Sequence, residues 1–395
     1  MKLLVICQYY YPEPFRISDI CESLVEKGHN VTVLTGLPNY PEGKVLYDYR
    51  YGKKRKEVIN GVKVIRSFEI GRGSSKVTLF LNYFSFALSA SVKTLFMKGK
   101  FDAILVNQLS PIIMGVPAIV YKKRHKKKML LYCLDLWPAS LTAGGIKEGS
   151  IIYKLFFCIS KWIYSSADYV AVSSGMFKNY LKETIGINSE SILYMPQYAE
   201  TIFTEKVEAE SCNEFNFVFA GNIGEMQSVE TIVKAAYELS NHSGITFHIV
   251  GDGSKLEECK LLSKSLGLHN ITFYGRKPLG EMPKYYGMAD AMLITLKDDE
   301  FISSTLPGKI QSYMAASKPI IGAINGETNQ VIKAAECGLC CEAENYKELA
   351  NLILQFCRSS KKDEMANNAY DYYYEHYSKE QFMSVLENTL LKLNV

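Results

Sequence analysis

The sequence has no second cysteine pair, no clean apolar run and neither common glycine-rich nucleotide motif. Each absence removes a class of function. Ten cysteines are scattered along 395 residues. Cys337-Gly338-Leu339-Cys340 has C-x-x-C spacing, but no partner pair accompanies it, and Cys341 continues the same apolar strand. It reads as packing, not zinc or redox chemistry, and reduced thiols of this kind fit a cytoplasmic setting. The longest uncharged run, Ala103 to Tyr121, is 19 residues but is broken by Asn107, Gln108, Ser110, Pro111 and Pro117. The next, Val77 to Val92, is 16 residues and carries Thr, Asn and Ser. Neither is expected to span a bilayer. The chain enters a strand at once from Met1, so no cleavable leader is expected. Without G-x-G-x-x-G or a Walker lysine, NAD and ATP are poor candidates. Without aromatics among the lysines of Lys122–Lys128, nucleic acid is not expected.

What is present is regular. The length suits two domains of about 200 residues. Residues 1–200 hold 27 Lys and Arg against 15 Asp and Glu, while the remainder holds 18 against 26. Halves of opposite sign point to two domains with different partners, the basic one facing something anionic. Strands alternate with helices throughout: Lys2–Gln8, Val31–Gly36, Val62–Phe68, Asp102–Asn107, Met129–Asp135, Asp168–Ser174 and Ser191–Pro196. After the polar stretch Thr204–Asn213 come Phe215–Ala220, Ile245–Gly251, Ile271–Gly275, Ala291–Leu296, Pro319–Ile324 and Leu339–Glu342. The expected class is α/β, two doubly wound Rossmann-like domains, with the boundary near 198–213. Ligands of such folds sit beyond the carboxyl ends of the strands.

Those strand ends carry the candidates. In the first half they are Glu13 and Arg16, opening onto the ligand cleft, then Asn39 and Tyr40 framed by prolines, then Asp135 and Trp137 after the fifth strand. Asp135 is read either as a site carboxylate or as the cap of the next helix. In the second half, Gly221-Asn222-Ile223-Gly224-Glu225-Met226-Gln227 offers amides for close approach of a phosphate. Gly251 and Gly253 end the next strand, and Gly275 and Arg276 the third. The stretch Phe301–Ile321 reads as loop, helix, turn and strand. Ser304 or Thr305 would cap the helix, with Pro307 in its first turn and Gly308 and Lys309 beside free amides that suit a diphosphate. Together these outline a ligand with a base and a diphosphate.

Val77–Met97 forms a helix with Thr78, Asn82, Ser85, Ser89 and Lys93 on one stripe. Its wide apolar face includes Leu79, Phe80, Phe84, Phe86, Leu88 and Leu95. It suits either a buried interdomain helix or a membrane interface. The lysine run favours the membrane.

These segments resemble family-4 retaining glycosyltransferases of the GT-B fold, over essentially the whole chain. The resemblance rests on Tyr10-Tyr11-Pro12-Glu13-Pro14, Gly28-His29-Asn30-Val31-Thr32-Val33, Pro38-Asn39-Tyr40-Pro41-Glu42-Gly43, Asp135-Leu136-Trp137-Pro138, Gly221-Asn222-Ile223-Gly224 and Leu306-Pro307-Gly308-Lys309. The branch resembled is that of capsule and O-antigen enzymes, including N-acetylfucosamine-type transferases. The resemblance implies an acceptor domain at 1–200, a nucleotide-sugar donor domain at 201–376, facing it across a cleft, and a segment 377–395 crossing back to the first. It implies transfer of a hexosyl or N-acetylhexosaminyl group from a UDP-linked donor to a lipid-linked saccharide, with no cofactor and no metal. The chain would then lie on the inner face of the cytoplasmic membrane. Carried over, Gly221, Gly224 and Lys309 hold the donor diphosphate, Gly275 and Arg276 lie near the base, and Asp135 sits at the reaction centre. The broader family has two glutamates eight apart where this chain has Ser304 and Ser312, and the first usually contacts the donor sugar. A non-catalytic partner subunit and a nucleotide-sugar epimerase of the same fold are the alternatives.

Overall fold

In the computed structural model the described residues are 1–98, 100–204 and 214–394. The chain divides into two compact units, Met1–Met195 with Met383–Val395, and Pro196–Phe382. The division falls at Met195/Pro196, against 200/201 from the sequence, and the chain returns to unit 1 at Met383, not 377. Most of the polar stretch Thr204–Asn213 lies outside the described residues.

Unit 1 is built on strands β1 (Lys2–Ile6), β2 (Asn30–Thr35), β3 (Lys56–Ile59), β4 (Val62–Arg66), β5 (Ala103–Gln108), β6 (Lys128–Cys133), β7 (Tyr169–Val172) and β8 (Ile192–Tyr194). They lie in the order β3-β4-β2-β1-β5-β6-β7-β8. All neighbours are parallel except β3 and β4. Runs such as Leu3–Ile6 and Ala103–Val106 are buried throughout, as strands covered on both faces must be. The sequence reading missed β3. Asn60 (φ 47°) and Gly61 (φ 82°) turn it into β4, and Asn-Gly is the preferred pair for such a two-residue hairpin. The sheet is covered by α1 (Ile17–Glu26), α2 (Lys76–Phe96), α3 (Val116–His125), α4 (Ser140–Ala143), α5 (Ile151–Ser165) and α6 (Gly175–Tyr180).

Unit 2 has β9 (Phe215–Ala220), β10 (Ile245–Val250), β11 (Ile271–Gly275), β12 (Ala291–Thr295), β13 (Ile320–Ala323) and β14 (Gly338–Cys341), in the order β11-β10-β9-β12-β13-β14. Every neighbour is parallel. Its helices are α7 (Val229–Glu238), α8 (Leu256–Ser265), α9 (Met282–Gly287), α10 (Glu300–Ser303), α11 (Lys309–Ala315), α12 (Gly326–Ala334), α13 (Tyr346–Arg358) and α14 (Lys362–Tyr377). The final helix, α15 (Lys379–Leu393), leads back into unit 1. There Glu387 accepts from Lys27 at 2.9 Å and pairs with His29 at 3.0 Å. Strand order reverses between β1 and β5 in one unit and between β9 and β12 in the other, which marks the ligand-binding end of each sheet.

Helix α2 buries a mixed face, Asn82, Phe86, Ala87, Ala90 and Thr94. Its polar stripe, half-buried apart from Asn82, is tied to the segment after β4. Lys93 Nζ donates to Arg66 O at 2.7 Å, Ser89 Oγ to Phe68 O at 2.5 Å and Asn82 Nδ2 to Ile70 O at 2.7 Å, while Ser85 Oγ accepts from Ile70 N at 3.0 Å. Extended residues 66–70 after β4 have few backbone partners of their own, and the helix supplies them. Val77, Phe80, Leu81, Phe84, Leu88, Val92, Leu95 and Phe96 are left exposed. At 21 residues α2 is also long and apolar enough to cross a membrane, against the sequence reading, and only 28% of that window is buried.

Candidate active site

In unit 2 the glycine-bearing strand ends pack on one another. A Cβ at Gly251 would lie 1.8 Å from Gly221 O, and one at Gly253 2.4 Å from Ile223 O. Both positions therefore admit only glycine. Four of the glycine amides here are already engaged. Gly221 N donates to Val250 O, Gly224 N to Gln227 Oε1, Gly251 N to Gly275 O and Gly253 N to Asp252 Oδ1. Asn222 Nδ2 also donates to Gln227 Oε1, at 2.9 Å, so Asn222 and Gln227 hold the loop's shape. Arg276 is exposed just beyond β11.

Lys309 is the decisive residue. It opens α11 with Gly308, not Ser304 or Thr305, at the cap, so Pro307 precedes the helix. Ser304 instead ends α10, its hydroxyl donating to Phe301 O. Lys309 Nζ lies 4.0 Å over the Phe219 ring and 3.0 Å from where a Cβ on Gly221 would stand. It is enclosed and, among the described residues, has no hydrogen-bond partner. Burial pushes its pKa down to about 7. An enclosed ammonium with no anion is costly, and a bound anion removes the cost. Phe219 escaped the sequence reading, since an aromatic one residue short of a strand end looks like ordinary core.

In unit 1, Asp135 does not cap a helix: α4 begins at Ser140 with Ala139 before it. Its carboxylate accepts from Ser110 Oγ and, at 3.2 Å, from Trp137 Nε1. Burial pushes its pKa up, against those hydrogen bonds. Trp137 is itself buried, its indole N–H also donating to Ser110 Oγ at 2.8 Å and its ring packed on Phe156. It orients Asp135 and does not present an open face to a sugar.

Glu13 does not open outward, as the sequence reading expected. It is buried, and its carboxylate accepts from the backbone N–H groups of Tyr40 (2.7 Å), Asn39 (2.9 Å) and Tyr10 (3.3 Å). Burial pushes it up to about 7. Asn39 is buried as well, joining Leu37 O to Arg72 N. Arg16, half-buried, stands at the start of α1. Tyr40 keeps an exposed edge. Beneath this layer Glu69 accepts from Gln8 Nε2 (2.7 Å), Asn82 Nδ2 (2.6 Å) and Leu37 N (3.1 Å), and burial pushes it up to about 8. Ser110, Glu69 and Gln8 were not singled out from the sequence. The available signal was a carboxylate ending a strand run opposite an asparagine in an apolar helix.

Two families divide the chain between them. Residues 16–197 match Glycosyltransferase Family 4, and residues 202–372 match Glycosyl transferases group 1. The chain carries two glycosyltransferase domains. WbjE of Pseudomonas aeruginosa, named as a probable glycosyltransferase, is 28% identical over 260 residues, a match spanning 62% of this chain and 63% of WbjE. WcaI of Escherichia coli K12, named as a putative colanic acid biosynthesis glycosyl transferase, is 23% identical over 334 residues, 80% of this chain and 81% of WcaI. Among solved structures, sucrose-phosphate synthase from Thermosynechococcus elongatus superimposes with a TM-score of 0.76 at 15% identity, covering 99% of this chain and 98% of that one. HepE of Anabaena, solved with UDP and glucose, gives 0.72 at 14%, covering 99% of each. Identities this low establish the fold alone: two Rossmann-like domains of the GT-B type.

Proposed function

We propose that the chain is a retaining glycosyltransferase. It moves a hexosyl or N-acetylhexosaminyl group, N-acetylated or deoxy, from a UDP-linked donor held by unit 2 to a lipid-linked saccharide held by unit 1, in bacterial surface polysaccharide synthesis of the N-acetylfucosamine-type branch. The observation that carries this reading is Lys309, enclosed against Phe219 beside Gly221 with no anion to neutralise it. A donor diphosphate supplies the missing negative charge, and WcaI's name supplies the pathway class.

The acceptor oxygen bonds to the anomeric carbon on the face the leaving group vacates as the carbon–oxygen bond to the diphosphate breaks. Asp135 takes the hydroxyl proton, and the nucleoside diphosphate departs. Lys309, and not a metal ion, neutralises the leaving phosphate, the kind of preorganised charge that dominates such catalysis. The purified chain, given a panel of nucleotide sugars and lipid-linked saccharides, yields a glycosylated product by mass spectrometry, and Lys309→Ala lowers the rate about 100-fold or more. Absence of turnover makes it a non-catalytic partner, and a changed donor without acceptor makes it an epimerase.

The membrane contact of this reading is the outward face of α2, a peripheral attachment to the inner leaflet, because its other side is held to residues 66–70 by hydrogen bonds. Ile151, Ile152, Leu155 and Trp162 of α5 extend the exposed apolar surface. Lys122 takes no part, being paired with Asp168 at 2.5 Å. Anionic liposomes carry the protein upward in flotation at low salt. Leu88→Glu with Phe96→Glu abolishes this, and unchanged flotation removes α2 from the contact.

A further inference from the structure

Unit 1 holds one charged group that neither the packing of its sheet nor the transfer step uses. Arg72 lies between Gly71 and Gly73, in the loop that joins residues 66–70 to α2. The loop is fixed against the one carrying Tyr40: Gly73 N donates to Gly43 O at 2.7 Å, and Arg72 N donates to Asn39 Oδ1 at 3.0 Å. Closer approach is barred, since a Cβ at Gly71 would lie 2.8 Å from Gly43 O. The guanidinium is carried 5.8 Å over the Tyr40 ring. Among the described residues it has no ion pair. The carboxyl groups around it do not supply one, because Glu13 and Glu69 are buried and hydrogen-bonded elsewhere.

A second group points the same way. Tyr9, 3% exposed, stacks on Phe15 at 5.1 Å and meets Tyr40 at 6.0 Å. Its hydroxyl is enclosed and, among the described residues, has no hydrogen-bond partner. The phenols of Tyr9 and Tyr83 are pushed up chiefly by burial, and both are drawn back by Arg72. Tyr83 also feels Asp135. An unpaired cation and an unpartnered hydroxyl thus both belong to residues packed on the Tyr40 ring. The exposed apolar stripe of α2 begins at Val77, five residues after Arg72.

We infer that Arg72, with the Tyr9 hydroxyl beside it, forms an anion subsite that holds the phosphate of the lipid-linked acceptor. It rests on the transferase reading and names the part of the acceptor that unit 1 recognises. The fork of a guanidinium suits phosphate oxygens bidentately. A diphosphate between lipid and saccharide would lie where the apolar stripe ends and the Asp135 region begins. Arg72 is a positioning residue and leaves the bond-making step to others.

Two measurements test it. In the first, transfer is compared on a short-chain polyprenyl diphosphate saccharide and on the same saccharide as a neutral alkyl glycoside. Arg72→Ala raises KM for the diphosphate acceptor about 10- to 100-fold, the scale of a lost charge-assisted hydrogen bond, with kcat, donor KM and use of the neutral glycoside little changed. Arg72→Lys recovers part of the loss. Equal damage with both acceptors overturns the subsite. The second needs no turnover and so separates failure of this subsite from failure of the transferase reading. Inorganic pyrophosphate protects Arg72 of the full chain from phenylglyoxal, mapped by peptide mass spectrometry. Labelling of Arg72 that pyrophosphate does not slow overturns the proposal.

Discussion

The two sheets bury ionisable groups of opposite sign at their carboxyl ends. Beside β9, Lys309 is a lone ammonium against an aromatic ring, pushed down to about 7. Around β1, β2 and β6, Glu13, Glu69 and Asp135 are carboxyl groups pushed up by burial, and each is already hydrogen-bonded. Unit 2 holds charge in reserve for a ligand. Unit 1 invests most of its polar groups in holding loops together, leaving Asp135 and Arg72 to meet one. The difference teaches that a buried acid is weak evidence for catalysis until its partners are counted. Three backbone N–H groups explain Glu13; a serine and an indole explain the aim of Asp135 but not its presence.

The sharpest break in that comparison is Asp135→Asn. Asparagine keeps the shape and one acceptor for Ser110 and Trp137 but loses basicity. Positioned proton transfer is worth roughly 10²–10⁴-fold, so transfer falls by that amount while UDP binding and the thermal midpoint hold. A variant that melts early yet transfers at full rate returns Asp135 to a structural role. Glu13, by contrast, is not a substitute, because it is committed to the Asn39–Tyr40 loop.

A smaller effect tests the opposite signs directly. Folding brings Lys309 to about 7 from the 10.5 of an ordinary lysine amine. The unfolded chain therefore binds more protons between those values, and stability rises with pH from about 7 to 10.5. Glu69 folds near 8 against an ordinary 4.5, so the folded chain binds more protons there and stability falls as pH rises from 4.5 to 8. Calorimetry across about pH 5–10 finds that Lys309→Met reduces the alkaline rise and Glu69→Gln reduces the fall, each by a few degrees. Glu13, near 7, and Asp135, also raised by burial, contribute to the same fall. Differences from the parent that do not vary with pH would refute both assignments. On the proposed donor site, UDP affinity is expected to decline above about pH 7 in titrations, since a bound diphosphate favours the protonated lysine.

Much of the molecule was legible in the sequence, because apolar strand runs and helical spacing are local. Thirteen of the strands were recognised, two of them (Phe215–Ala220 and Ile271–Gly275) with their observed bounds and the rest within a residue or two at their ends. The missed one, Lys56–Ile59, is a charged edge strand whose Asn60-Gly61 turn was the overlooked signal. The glycines at 221, 251 and 253 stood out too, but for a reason the sequence reading misjudged: backbone packs on backbone there, and the amides are occupied. By itself the sequence determined the two α/β units, the strand end after which Asp135 stands, the helix start at Lys309, and the amphipathic division of α2. Only the tertiary structure decided which face of α2 turns inward. A helical wheel separates two faces, but the extended segment 66–70 needed hydrogen-bond partners, and that demand turned Asn82, Ser85, Ser89 and Lys93 toward it, while Phe86, Ala87, Ala90 and Thr94 are buried with Asn82. It likewise decided which charges remain unpaired, because pairing joins residues as distant as Gln8 and Glu69, or Phe219 and Lys309, that no local pattern connects.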